Sequence, residues 1–212
     1  MKELRPNEGL RLFDIKWEVT TAGPSPNSNK RIEVFLLGCN KAMSGNPCKG
    51  CFNLALANSN IATISRDPIE VANLINDKCD INNKYVTIGG GEPLDQLDNL
   101  ILLCKQLKQY GFHIIVYTHY LLKDRIHESN IQSLVNIIDI LIDGEFIEEE
   151  KLYDINSNNT ARNFIGSGNQ ILWLLNTTHI RGYYLKDINN ITLSNNNILS
   201  IDIKDGDNIH EL

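Results

Sequence analysis

The sequence predicts an α/β fold with mostly parallel strands and a small β-rich appendage at the C-terminal end. Three observations carry this expectation. Short apolar runs alternate with helical patterns through the middle of the chain, glycine-rich turns stop the runs, and the helical pattern disappears after Gln170. Alternation of this kind implies parallel pairing, because each crossover helix returns the chain to the same end of the sheet. A length of 212 residues suits one core with a minor addition. The division expected is a main domain over residues 1–175 and an appendage over 176–212.

The elements follow in order. Up to Lys30 the chain is rich in turn formers, and Ala22-Gly23-Pro24-Ser25-Pro26-Asn27 sustains neither a helix nor a central strand, so the stretch reads as an entry segment. Residues 31–37 start with alternation and end fully apolar, as a strand entering a covered sheet does. Gly38 breaks that strand and opens a long loop, residues 39–53. Asp67-Pro68 followed by Ile69, Val71, Ala72, Leu74 and Ile75 gives a capped helix start with an apolar stripe. Tyr85-Val86-Thr87-Ile88 is a short strand stopped by Gly89-Gly90-Gly91-Glu92-Pro93, and a helical pattern follows over residues 95–107. The unit recurs as a strand at 113–117, a helical region at 121–135 and a strand at 137–142. The remainder is Asn-rich, with a β-branched run at 198–203.

Composition narrows the function classes. Twenty basic against 26 acidic residues give a formal charge of −6, which offers no electrostatic reason to bind nucleic acid. No apolar run approaches the ~18 residues of a membrane span, and the opening Met1-Lys2-Glu3-Leu4-Arg5-Pro6 lacks the apolar stretch of an export signal. The expectation is a soluble, cytoplasmic protein with no membrane partner. In a reducing compartment its five cysteines point to metal ligation before disulfides.

Cys39, Cys48 and Cys51 form a C-x8-C-x2-C set in one loop at a strand end. The two residues inside a C-x2-C pair let both sulfurs turn toward one centre, and a third thiolate nearly closes the site. Three protein ligands leave one iron of a cubane cluster open to an exogenous ligand. A structural zinc site completed by Cys79 or a histidine is the competing reading of the cysteines. Cys79 and Cys104 read as ordinary cysteines, and the five histidines show no ligand spacing. The glycine run before Glu92 lets backbone approach a ligand closely, and an exposed edge beside a carboxylate suits a cationic amino group better than a phosphate. The glutamate is expected to act apart from the thiolates.

Taken together, Gly38-Cys39-Asn40, Cys48-Lys49-Gly50-Cys51-Phe52-Asn53 and Gly90-Gly91-Glu92-Pro93 resemble the radical S-adenosylmethionine (SAM) superfamily. Ala22-Gly23-Pro24-Ser25, Ile142-Asp143-Gly144-Glu145-Phe146 and Gly166-Ser167-Gly168-Asn169-Gln170 narrow the likeness to its glycyl-radical activase branch, that of the activating proteins of anaerobic ribonucleoside-triphosphate reductase. The resemblance implies a partial (β/α)6-type barrel, a [4Fe-4S] cluster on Cys39, Cys48 and Cys51, and SAM whose amine is held by Gly90, Gly91 and Glu92. Phe52, Asn53 and Thr118 are then candidates for its sugar and adenine, with Asp143 and Asn169 in the branch-specific motifs. It also implies a large glycyl-radical enzyme as partner and an electron donor such as a flavodoxin or ferredoxin. A small-molecule radical SAM enzyme of the carboxydeazaguanine-synthase kind and a non-enzymatic electron-transfer module are the alternatives. This chain departs from the branch in its cysteine spacing, since C-x3-C-x2-C is usual there. Residues 41–47 take up the difference and are expected to bulge beside the radical site.

Overall fold

The computed structural model describes residues 9–20, 22–25, 30–57, 64–152, 166–175, 177–194, 197–203 and 209–212. In chain order these form β1 (Leu10–Val19), β2 (Arg31–Leu36), α1 (Asn40–Met43), α2 (Leu54–Ala57), β3 (Ile64–Arg66), α3 (Pro68–Lys78), β4 (Tyr85–Gly90), α4 (Leu97–Gln109), β5 (His113–Tyr117), α5 (Leu122–Arg125), α6 (Ser129–Val135), β6 (Ile140–Asp143), β7 (Ile171–Leu174), β8 (Arg181–Tyr184), β9 (Ile188–Ser194), β10 (Asn197–Ile203) and β11 (Ile209–Glu211). The main sheet has nine strands in the order β11-β8-β7-β6-β5-β4-β2-β1-β3. Parallel pairing is confined to β2, β4, β5 and β6. Antiparallel strands flank that run on both sides, so the described sheet is mixed, parallel in its middle and antiparallel at its margins.

Period-two alternation sorts the strand residues between two layers. Val34, Leu36, Val86, Ile88, Ile114 and Val116 pack under α3 and α4, which contribute Val71, Ala72, Ile75, Leu100, Leu103 and Leu107. Asp67 starts α3 as the sequence suggested, its Oδ1 accepting from the Ile69 and Glu70 amides at 2.7 and 3.2 Å, with Pro68 in the first turn. On the other face Tyr85, Ile115, Ile140, Ile142 and Leu172 meet Leu185, Ile188, Ile191 and Leu193. Strands β9 and β10 pair with each other in a separate two-stranded sheet, and its apolar residues cover this face. Strand β8 bonds to β7 across residue 175, so the C-terminal part both extends the main sheet and covers it.

Two sequence expectations give way to local geometry. The entry segment contains β1, a ten-residue strand hidden from pattern reading because its pairing with β2 slips between Leu12 and Asp14 and again between Lys16 and Val19. Each slip breaks the alternation that marks a strand. Likewise β6 begins at Ile140, three residues later than expected, because the amides of Ile137 and Ile138 turn back to the Leu134 carbonyl. The helical region at 121–135 is also divided, into α5 and α6.

The turn-rich Ala22-Gly23-Pro24-Ser25 is fastened by one buried cation. Arg31, fully buried, donates from Nε to Thr87 Oγ1 at 2.7 Å, from Nη1 to the Pro24 carbonyl at 2.7 Å, and from Nη2 to the carbonyls of Val86 and His113 at 2.6 and 3.1 Å. Thr87 passes the connection on, donating to the Ala22 carbonyl at 2.6 Å. Burial lowers the Arg31 pKa to about 9, with Asp139 among the groups that oppose the shift. Only a planar fork of donors satisfies acceptors on two strands and a loop at once. Arg31→Ala is therefore expected to cost roughly 3–5 kcal/mol in urea unfolding, with Arg31→Lys recovering only part, since a buried charged hub is lost. A loss within the ±0.5 kcal/mol of an ordinary surface change would show that the hub carries no such weight.

Candidate cluster and cofactor site

The site forms where the C-terminal ends of β2 and β4 converge. Gly91 N donates to the Leu36 carbonyl at 2.8 Å and Glu92 N to the Gly38 carbonyl at 2.7 Å. A Cβ at Gly90 or Gly91 would collide with the backbone of Leu36 or Gly38, and Gly90 also has a φ of +109°. The glycine run is thus demanded first by strand against strand, and the same absence of side chains leaves Gly89, Gly90 and Gly91 lining an adjacent cavity of about 470 Å³.

The cysteine loop is tied down on both sides. Gly38 N and Cys39 N donate to the carbonyls of Leu56 and Ala57 in α2 at 2.8 and 3.2 Å. The extra residues after Cys39 fold into α1 and a turn at Gly45, whose φ is +84°. The expected bulge is a helical turn that closes its own hydrogen bonds. Across the cavity mouth the loop meets residues 145–151 through a Lys41–Glu145 ion pair at 2.7 Å, a Lys49–Glu149 ion pair, and the Phe52 and Phe146 rings with centroids 4.6 Å apart. Lys151 lies 4.9 Å above Phe52. Exposed ion pairs contribute little each, and here they set position more than stability.

Cys39, Cys48 and Cys51 all line the cavity, as do Phe52, Asn53, Gly90, Gly91, Glu92 and Thr118. Burial raises the Cys48 and Cys51 thiol pKa values, so a bound cation is what would favour their thiolates. Among the described residues no three His, Cys, Asp or Glu side chains gather tightly enough for one metal ion. The thiols line one cavity and, among the described residues, form no preformed mononuclear site. A group larger than a single ion, placed between three half-buried thiols, fits this arrangement.

Glu92 is 1% exposed and accepts four hydrogen bonds. Oε1 takes Leu94 N at 2.9 Å and Thr118 Oγ1 at 2.7 Å; Oε2 takes His119 N at 2.9 Å and pairs with His119 Nδ1 at 2.6 Å. Burial works against charge on His119, yet hydrogen bonds to Cys39 and Glu92 outweigh it and raise the pKa to about 10. His119 thus stands between the Glu92 carboxylate and the Cys39 thiol. His119 itself was legible only as a residue following Thr118 at a strand end.

Asp143 and Asn169 stand behind the cavity wall. Asp143 Oδ2 accepts from Leu122 N, at the first turn of α5, at 2.6 Å, and burial moves its pKa up to about 6. Asn169 donates from Nδ2 to the Glu145 carbonyl at 2.8 Å and accepts from Ser167 Oγ at 2.6 Å. Gln170 Nε2 donates to the Gly144 carbonyl at 2.8 Å. These bonds staple the two branch-specific motifs together, and it is Gly144, Phe146, Gly166 and Gln170 that reach the cavity.

Comparison with known proteins decides the family. Residues 28–173 match the 4Fe-4S single cluster domain, a span that contains all three cavity cysteines. The chain belongs to the 4Fe-4S single cluster domain family. It is 31% identical over 126 residues to the anaerobic ribonucleoside-triphosphate reductase-activating protein of Haemophilus influenzae, a match covering 57% of this chain and 76% of that one. The resemblance to the radical SAM activases, read above from motifs, rests on both findings. No helix among the described residues of this 4Fe-4S family member is long and apolar enough to cross a membrane.

Three further polar residues of the cavity lie outside the motifs: Lys16, Glu33 and Tyr117. Burial pushes the Glu33 pKa up to about 7, with Lys16 pulling it back. The folded state therefore keeps this proton to higher pH than the unfolded chain, and the stability it confers is full below the unfolded value of 4.5 and lost as pH rises through about 7. Glu33→Gln is expected to flatten the decline of the thermal midpoint across that window and to raise the midpoint above it. Parallel curves for variant and wild type would place the decline on other groups.

Proposed function

We propose that the chain is a radical SAM enzyme of the glycyl-radical activase kind, acting on a partner such as an anaerobic ribonucleotide reductase. The observation that carries the reading is the meeting, in one cavity, of three cysteines with the Gly89–Glu92 strand edge. The name of the Haemophilus influenzae relative supports the class of partner. In this reading the parallel run β2-β4-β5-β6 is the wall of a partial (β/α)6-type barrel, and a soluble cytoplasmic donor of the flavodoxin or ferredoxin class supplies the electron.

Cys39, Cys48 and Cys51 would hold a [4Fe-4S] cluster through three of its irons. Gly90 and Gly91 would offer backbone to the SAM amine, with the Glu92 charge behind them, and Phe52, Asn53 and Thr118 lie along the same wall for the nucleoside. When bound, the cluster and SAM supply a reductively generated 5′-deoxyadenosyl radical, which the protein does not make alone. The work left to the chain is placement and exclusion of water. Thr118 and His119 fix the Glu92 carboxylate, the ion pairs fix the cysteine loop, and the apolar pair Phe52–Phe146 stands at the cavity mouth. Asp143 and Asn169 serve by holding that mouth in place.

Single Cys→Ala changes at positions 39, 48 and 51 are expected to abolish iron binding and colour after anaerobic reconstitution. The same change at Cys79 or Cys104 should retain both, because Cys79 bonds to the Asn76 carbonyl at 3.3 Å and Cys104 is buried in the helix layer. Stoichiometric zinc with no iron in the wild type would overturn the cluster reading. Glu92→Ala strands four donors around a buried carboxylate, two of them on His119 beside Cys39, so SAM affinity and iron content are expected to fall together. Full iron content with lost SAM affinity would show instead that the two functions separate.

A further inference from the structure

Glu33 and Tyr117 have no task in the scheme above. They project from β2 and β5 on the sheet face turned away from α3 and α4, and both line the cavity that contains the three cysteines. The Tyr117 hydroxyl is buried without a hydrogen-bond partner. Burial, reinforced by the nearby Glu33, holds the phenol protonated, so it is a donor in need of an acceptor. Among the described residues the half-buried Glu33 carboxyl, with the Lys16 charge nearby, makes no hydrogen bond to the protein. By contrast Glu92, Thr118, Thr87 and Arg31 are satisfied from within the protein. Buried polar groups are nearly always paired, and those that are not invite an external partner.

The surroundings say what kind of partner. Val19, Ala22 and Phe35 supply apolar wall at this end, and the Lys16 ammonium lies 4.8 Å above the Phe35 ring. A cavity of about 470 Å³ takes one small ligand, so beyond a seated cofactor it admits only a thin segment. A sugar or nucleotide would need more polar partners than the Tyr117 hydroxyl, the Glu33 carboxyl and the Lys16 ammonium. An extended main chain presents one N–H and one C=O per residue and, at glycine, no side-chain bulk.

We infer that Tyr117 and Glu33 seat a backbone amide unit of the partner's substrate segment, Tyr117 donating to its carbonyl and Glu33 accepting from its N–H. The inference rests on the activase reading and adds to it the two side chains that receive the peptide.

The test compares reconstituted holoprotein with its Tyr117→Phe and Glu33→Leu variants. The probe is an end-blocked, fluorescein-labelled alanine–glycine pentapeptide, titrated with SAM present and followed by anisotropy. Each variant is expected to bind it about tenfold more weakly, the loss of one hydrogen bond in a buried site. Thermal midpoints should equal or exceed that of the wild type, since an unmet polar demand has been removed. A lowered midpoint with unchanged peptide affinity would make the residues structural and overturn the inference. So would absence of peptide binding by the wild type, or an equal loss of affinity for 5′-deoxyadenosine, which would give this end to the nucleoside. Failure of the wild type to cleave SAM would count against the activase reading alone, because the peptide titration does not depend on cleavage.

Discussion

The close approach of the Gly90–Gly91 backbone to Leu36 and Gly38 is the constraint on which the site depends. Two amide-to-carbonyl bonds bring the end of β4 against the point where β2 gives way to the cysteine loop, and no residue with a Cβ could stand there. From that contact Cys39 departs on one side and Glu92 on the other. The separation between the first thiol and the carboxylate is thus fixed by main chain, the least adjustable part of the molecule.

Around this fixed point the polar groups are arranged with little slack. Glu92 is buried and fully bonded, and two of its four donors, His119 N and Nδ1, come from the residue that also reaches Cys39. Charge in a buried place is tolerable only when it is paired and hydrogen-bonded throughout, so a change at any member of this set is felt by the others. The cysteine loop itself is governed differently. It lies at the surface, held by α2 beneath it and by the ion pairs of Lys41 and Lys49 with residues 145–151, an arrangement in which extra residues can fold into α1 without disturbing the ends of the loop.

The C-terminal strands answer a packing requirement. A sheet with helices on one face leaves the other face to be covered, and Ile188, Ile191 and Leu193 of β9 provide that cover over Tyr85, Ile115 and Ile140. The cavity occupies the part of the same face nearer the strand ends, where glycines and Glu33 replace large apolar residues. Chemistry and core therefore share one side of the sheet, divided along the strands.

The features legible from residue order are local ones. Strand, glycine turn and helix could be read at 85–107 because periodicity and backbone freedom act over a few residues, and the cysteine spacing identified its loop for the same reason. Cys39, Cys48, Cys51, Gly90, Gly91, Glu92, Phe52, Asn53 and Thr118 were accordingly found from motif and strand-end position, and the fold lines one cavity with all of them. The remaining features come from long-range packing. That β1 is a strand depends on slipped pairing with β2; that Asp143 and Asn169 brace the wall depends on the Leu122 amide that donates to Asp143 and on the Glu145 carbonyl and Ser167 hydroxyl that Asn169 meets. Glu33, Tyr117 and His119 look ordinary in sequence, since a polar residue in or just after a strand marks a solvated face as readily as a cavity. Their significance comes from distance and burial, which arise only when strands far apart in the chain are laid side by side.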